Sequence, residues 1–251
     1  RRGYTPASIR NFSEAAGIAK RDNVTDLALL EFHIRNELNK TAPRVMAVLD
    51  PVKVVITNYP EGKEEQLQAE NNPADPGAGS RSLPFSREIY IERNDFREVA
   101  NKKFFRLKLG HEVRLKNAYI IKANDVVKDD SGKILEIHCT YDEDSKSGSG
   151  TEASMRKVKG TIHWVSIEHA LQAEVRLYDR LFTHEAPDSD KDKDFKDYIN
   201  PESLQVIPTA YLEPSLVNVN PGDHFQFQRL GYFNVDDDSE PGSLVFNRTV
   251  A

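Results

Sequence analysis

Arg106 and Lys108 stand two residues apart in the stretch Phe104–Gly110, and Arg114 and Lys116 stand two apart in Val113–Lys122. In an extended strand such pairs project from one face. A short connection at Gly110 and His111 would lay the two stretches side by side as a hairpin, giving a face of four cations with Phe104 beside it. Cations hold phosphates, arginine offers paired donors to a base edge, and aromatic rings stack on unpaired bases. A second group is Gln226, Gln228 and Arg229 in HFQFQRLGYF, where Phe225 and Phe227 alternate inward and leave the glutamines outward. Glutamine and arginine read base edges by paired hydrogen bonds. Both groups also fit solvated strand faces, so pattern alone leaves the two readings open.

Other chemistry finds less support. The seven histidines contain no HExxH or HxxxH pair, and Cys139 has no second cysteine, so no zinc site is expected. His138 and His163 fall on expected strands and read as ordinary sheet residues. Asp142, Glu143 and Asp144 adjoin a Gly/Ser loop, which reads as a solvated turn. That loop lacks the lysine and following helix of a phosphate-binding loop. No nucleophile elbow is present. The residues argue for binding rather than catalysis.

Net charge is -6, which at first sight disfavours a nucleic-acid partner. A phosphate backbone responds to a patch, however, and not to a total. Between Arg97 and Lys122 eight basic residues face only Glu98 and Glu112, a local balance of +6, whereas Glu185–Asp197 holds six acids against three lysines. With 251 residues, 38% of them hydrophobic, the chain can bury the cores of one to three compact units. A single cysteine excludes an internal disulfide and fits a reducing compartment. The sequence has no apolar run long enough to span a bilayer and no leader pattern, so a cytoplasmic protein without membrane contact is expected.

Elements must position these groups. Thr5-Pro6 reads as a helix cap followed by proline at the first turn, with Ile9, Phe12 and Ala16 on one face and Gly17 as the stop. A second helix is predicted from about Asp26 to Leu38, with Leu27, Leu30, Ile34 and Leu38 at helical spacing. After Pro43 the period changes to two. Strands are predicted in Arg44–Ile56, Glu88–Glu92, Phe104–Gly110, Val113–Lys122, Lys133–Tyr141, Lys157–Val165, Ala173–Leu181, Leu204–Leu212 and His224–Val235. Many short strands punctuated by Gly, Pro, Asn and Asp indicate antiparallel sheets closed into barrels or sandwiches. Glu61–Gly79, Asp142–Glu152 and Glu185–Asp197 read as loops, the second as a flexible tip. No repeat of fixed period is visible, although two similar barrels could conceal one.

Several strings closely resemble the glutaminyl-tRNA synthetase family: RRGYTPASIRNF, APRVMAVLDPVKVVI, GSRSLPFSREIYIERNDFRE, LGHEVRLKNAYIIK, RKVKGTIHWVS, EVRLYDRLF, INPESL, FQFQRLGYF and FNRTV. They run in family order over essentially the whole chain. The two ATP-binding strings of class I synthetases are not among them, and in the family the matched strings stand downstream of both. The resemblance therefore implies a mainly β chain of two antiparallel β-barrels preceded by a small helical connector subdomain. Residues 1–43 would form the connector, 44–98 with about 190–251 the proximal barrel, and about 99–189 the distal barrel. It also implies recognition of the anticodon stem-loop of glutamine tRNA by a monomer, with no cofactor in this part. ATP and Mg would belong to the parent's catalytic domain, so the chain is expected to be inactive as a ligase alone.

In that family the three anticodon bases unpair and enter separate pockets. Carried over by motif, Arg44, Gln226 and Arg229 serve the middle base, Arg114 the first and Arg106 the third. Asn39 matches a contact to the stem-loop. Four departures stand out. Lys103 replaces a glutamine, Phe105 a lysine and Ala74 an asparagine, while Lys116 replaces an arginine and so keeps the charge but loses the planar fork. Lys103 and Lys116 thus remain weaker candidates for RNA contact than the five base-reading residues. The alternative function is a ribosomal 5S-rRNA-binding β-barrel protein, a reading by fold analogy alone.

Overall fold

Thr5 and Asp26 begin the two N-terminal helices by accepting hydrogen bonds from Ser8 N and Ala28 N, at 3.2 and 2.8 Å. Helix α1 spans Pro6–Ala16 and α2 spans Leu27–Thr41 in a computed structural model that describes residues 1–21, 24–189 and 192–251. Gly17 closes α1 at φ 73°, a backbone angle that favours glycine. Helix α2 runs three residues beyond the predicted Leu38. It stops where Pro43 forces Ala42 into extended backbone. Ile34, Leu38 and Ala42 pack with Tyr232 and Val250, so α2 is fastened to the β structure. Each of the larger of these side chains contributes about 1.5–3 kcal/mol through burial. Ile9, by contrast, is 45% exposed, and the apolar face expected on α1 is only shallowly covered. Within the acidic excursion Glu185–Asp197, Asp190 and Lys191 lie outside the described residues.

Two seven-stranded sheets make up most of the molecule. The first runs Arg44–Val45, His224–Phe227, Gly231–Val235, Leu244–Val250, Leu171–Tyr178, Leu204–Leu212, Ala47–Val48. Its two edge strands are separated in sequence only by Met46, so one kinked segment supplies both rims and the sheet curls toward closure. The second runs Thr161–Ile162, Glu112–Leu115, Ile120–Lys128, Ile134–Tyr141, Pro51–Ile56, Glu88–Glu92, Val165–Ser166. Here only His163 and Trp164 separate the rims. Closure of this kind leaves little exposed strand edge. Phe227, Phe233 and Phe246 fill the first barrel, and Trp164, Phe85 and Tyr59 are among the largest side chains filling the second. The architecture is the mainly β, barrel-like one expected.

The pairings were not all expected. Along each order they run parallel, antiparallel, antiparallel, parallel, antiparallel, antiparallel. Both barrels therefore share one topology, built from a kinked segment, a paired hairpin and a three-stranded meander. In the second barrel the hairpin comes first, the meander next and the kinked segment last. In the first barrel the kinked segment comes first, the whole second barrel follows, and the hairpin and meander come after it. Sheet membership consequently crosses the segment limits drawn from the sequence: Pro51–Ile56 and Glu88–Glu92 join the second sheet, and Leu171–Tyr178 joins the first.

Asp236, fully buried, ties the chain's opening residues to the meander of the first barrel. It accepts bonds from the Arg1 guanidinium, from Asn247 Nδ2 and, at 2.9 Å, from Asp238 N. Burial alone would raise its pKa. The bonds from Arg1, the Asp238 amide and Asn247 outweigh burial and hold the carboxyl well below the usual carboxylate range. A depressed folded-state pKa contributes stability above the unfolded value, near about 4, and that contribution is lost as pH falls below it. Thermal unfolding of Asp236→Asn is therefore expected to show a shallower loss of stability between about pH 5 and pH 2 than the parent chain. Identical acid slopes for the two proteins would contradict this.

Candidate nucleic-acid interface

A cleft of about 500 Å³ opens between the barrels. The first barrel lines it with Arg44, Gln226, Gln228 and Arg229, and the second with Lys116, Asn117, Ser147 and Gly148. Gln68, Glu70 and Pro73 complete the wall, following from the hairpin of Glu65–Glu70 with Ser80–Phe85. The shared topology explains why these groups meet. Gln226 pairs in parallel with Arg44 on one kinked segment, and Arg114 pairs in parallel with Thr161 on the other. Gln226 thus holds the place in the first barrel that Arg114 holds in the second. Three residues further on, Arg229 and Asn117 sit in the equivalent turns at φ 70° and φ 59°. They are the two non-glycine residues with positive φ among the described residues. Two copies of one turn face each other across the cleft.

Hydrogen bonds pre-arrange the first-barrel wall. Arg44 Nη2 donates to Asn39 Oδ1 at 3.2 Å, Tyr232 Oη donates to the same oxygen at 3.1 Å, and Gln226 Nε2 donates to Tyr232 Oη at 3.2 Å. Asn39 comes from the last turn of α2, so the helical segment helps to set the cleft. Arg44 Nε is buried without a hydrogen-bond partner, an arrangement that needs a reason such as a ligand role. Arg229 places Nη1 and Nη2 on the carboxylate of Asp95, at 2.5 and 2.7 Å, and Nη1 also lies 3.3 Å from His163 Nδ1.

The hairpin expected between Phe104–Gly110 and Val113–Lys122 does not form. Glu112–Leu115 pairs on one side with Ile120–Lys128 and on the other with Thr161–Ile162, so it has no free edge. The predicted single strand Val113–Lys122 is two strands around the Asn117 turn. Only Leu107–Lys108 of the other stretch is a strand, parallel to Phe96–Arg97. The four cations therefore diverge. Arg106 reaches Asp95 and donates Nη1 to Asn94 O at 3.1 Å. Together with Lys102, Lys108, Lys157 and Lys159 it lines a second cleft of about 400 Å³ that also holds Phe104, Phe105 and His111. Phe105 is 52% exposed there, with Lys159 Nζ 5.4 Å from its ring centroid.

Arg114 lines neither cleft. Its guanidinium donates to Ser145 O, Ser147 Oγ, Ser154 O and Arg156 O at 3.0, 3.3, 2.9 and 3.2 Å. Burial, then the neighbouring Arg156, lowers its pKa. These bonds, with Ser147 N and Oγ on Ala118 O, tie down the Asp142–Glu152 segment that was expected to be a flexible tip. Ser147 and Gly148 thereby become cleft wall. Lys103 is exposed on the preceding turn and lines neither cleft, whereas Lys116 lines the first. Asp95, Asn117, Lys157 and Lys159 were not singled out by sequence reasoning, and Phe105 was noted only as a departure from the family pattern. Spacing gave no sign of them, because topology rather than periodicity brings them to the clefts.

Two family models described as tRNA synthetases class I (E and Q), anti-codon binding domain, match residues 42–142 and 161–236, together more than two thirds of the chain. The chain belongs to this anticodon-binding family. The matched ranges contain both equivalent turns and the clefts' arginines. Among curated relatives, the glutamine–tRNA ligase of Rhodopirellula baltica is 55% identical over 251 residues, covering all of this chain and 41% of the relative. Those of Clostridium perfringens and Nitrosomonas europaea are 52% and 53% identical, covering all of this chain and 45% of each relative. The chain thus spans less than half the length of these relatives. Among the described residues no helix is long and apolar enough to cross a membrane.

Proposed function

We propose that this anticodon-binding domain reads the anticodon of glutamine tRNA, serving a glutamine–tRNA ligase whose ATP and Mg chemistry lies outside this chain. The facing pair of equivalent turns carries the proposal. A cleft walled by Arg44, Gln226, Arg229, Lys116 and Asn117 offers forked donors and carboxamides to unpaired bases from two sides. Arg44, Gln226 and Arg229 are assigned to the middle base and Arg106, in the second cleft, to the third. Asn39 is assigned to the stem-loop side of the first cleft. For Arg114 to read the first base it must exchange its bonds to the serine loop for bonds to RNA. In the free chain it holds the Ser147 wall. Lys116 stands in the first cleft, and the lysines of the second cleft hold phosphate. The domain is taken to act as a monomer in the cytoplasm.

The family match favours this reading over the ribosomal 5S-rRNA alternative. The test is equilibrium binding of glutamine tRNA against the same tRNA with its middle anticodon base changed. The change is expected to cost about 1–3 kcal/mol, roughly 5- to 150-fold in affinity. The logarithm of the affinity for the unchanged tRNA is expected to fall linearly with the logarithm of salt, because bound phosphates release counterions. Equal affinity for both tRNAs would refute anticodon reading.

A further inference from the structure

We propose that Asp95 is a positioning residue that couples the reading of the middle and third anticodon bases, an inference that rests on the base assignments above. Its side chain is 2% exposed and lies between the two clefts. Arg229, from the first barrel, donates Nη1 to Oδ2 at 2.5 Å and Nη2 to Oδ1 at 2.7 Å. Arg106 brings Nε to within 3.3 Å of the same Oδ1. One carboxylate thus serves an arginine of each cleft. The register supplies the Arg106 half of this arrangement, since Phe96 pairs with Leu107 and places Asp95 alongside Arg106.

The consequences follow from counting donors. Arg229 Nη1 is committed to Asp95 and His163, and Nη2 gives one hydrogen to Asp95. Nε and the second hydrogen of Nη2 lie on the other edge of the guanidinium and form a fork for a base. Arg106 holds Nε 3.3 Å from Asp95 Oδ1 as an ion pair and donates Nη1 to Asn94 O, which leaves Nη2 for the second cleft. Asp95 therefore decides which edge of each arginine faces RNA. A base that draws Arg106 toward the second cleft weakens its hold on Oδ1 and changes the carboxylate that fixes Arg229. Groups sharing one network respond together.

The experiment uses the full chain and four transcripts of glutamine tRNA: unchanged, middle base changed, third base changed, and both changed. For the parent chain the double change is expected to cost less than the product of the two single penalties by about fivefold or more. Asp95→Asn keeps the shape but removes the charge. It is expected to lower both single penalties and to make them multiply. Arg106→Lys, which leaves Asp95 in place, is expected to reduce the middle-base penalty as well, providing a readout even if the Asp95 variant folds poorly. Multiplicative penalties in the parent, or an Asp95→Asn effect confined to one base, would overturn the coupling while leaving anticodon reading intact. No discrimination by the parent chain at either base would instead sink the anticodon reading on which the coupling depends.

Discussion

Replacing Arg229 by alanine is expected to remove discrimination at the middle anticodon base and to lower the melting temperature together. The first effect is loss of a donor fork, about 1–3 kcal/mol of base recognition. The second follows from Asp95. Arg229 provides two of its three guanidinium contacts, and without them a fully buried carboxylate keeps only Arg106 Nε at 3.3 Å. Leaving a buried charge poorly paired costs about 3 kcal/mol, which for a chain of this size lowers the melting temperature by about 6 °C or more. Arg229→Lys separates the two effects. It retains a charge near Asp95 but loses the fork, so discrimination falls with a smaller loss of stability. Tight tRNA discrimination by Arg229→Ala, measured by equilibrium binding, would show that this guanidinium does not read the base.

Gly160→Ala is expected to be the most disruptive single methyl group in the second barrel. Gly160 lies at φ 101°, and a Cβ there would stand 1.9 Å from Phe105 O and 2.9 Å from Phe105 C. Both obstacles are backbone, so no side-chain rotation relieves the clash. The φ value alone costs about 1–3 kcal/mol for a non-glycine residue. Adding displacement of the Phe105 backbone brings the expected loss to about 3 kcal/mol or more. The displaced segment carries Arg106 and Phe105, and Gly160 O accepts the Arg114 amide at 3.2 Å. Thermal unfolding should therefore fall while third-base discrimination weakens. Unchanged unfolding would mean that Phe105 and Gly160 do not touch in solution.

The parts of the molecule that were legible from sequence are those governed by local rules. Thr5-Pro6, Gly17 and Asp26 marked the helix ends because capping and proline chemistry act within a turn. Phe225 and Phe227 gave the correct inward face beside Gln226 and Gln228, because strand alternation has a period of two. Strand pairing lay beyond such rules. The Gly110 connection suggested a hairpin, yet Glu112–Leu115 takes its neighbours from Ile120–Lys128 and from Thr161–Ile162, which follows far along the chain. The repeat was concealed for a related reason: the order of its parts is permuted and one barrel is inserted in the other, so equivalent residues recur at no fixed spacing. Arg114 and Gln226 share a place without sharing a residue type. Charge was misleading at the level of grouping. Within the basic run from Arg97 to Lys122, Lys102, Arg106 and Lys108 line the second cleft, Arg114 holds the serine loop and Lys116 lines the first cleft, and Lys157 and Lys159 add to the second cleft's positive character from outside the run.

Transplantation gives the most direct test of what this cleft does. The three anticodon bases of glutamine tRNA would be placed in the loop of a tRNA for a different amino acid, leaving the rest of that molecule untouched. If arginine and carboxamide groups of the facing turns grip splayed bases, the transplanted tRNA should bind this chain about tenfold or more tightly than its parent. Indistinguishable dissociation constants for the two molecules would contradict that account.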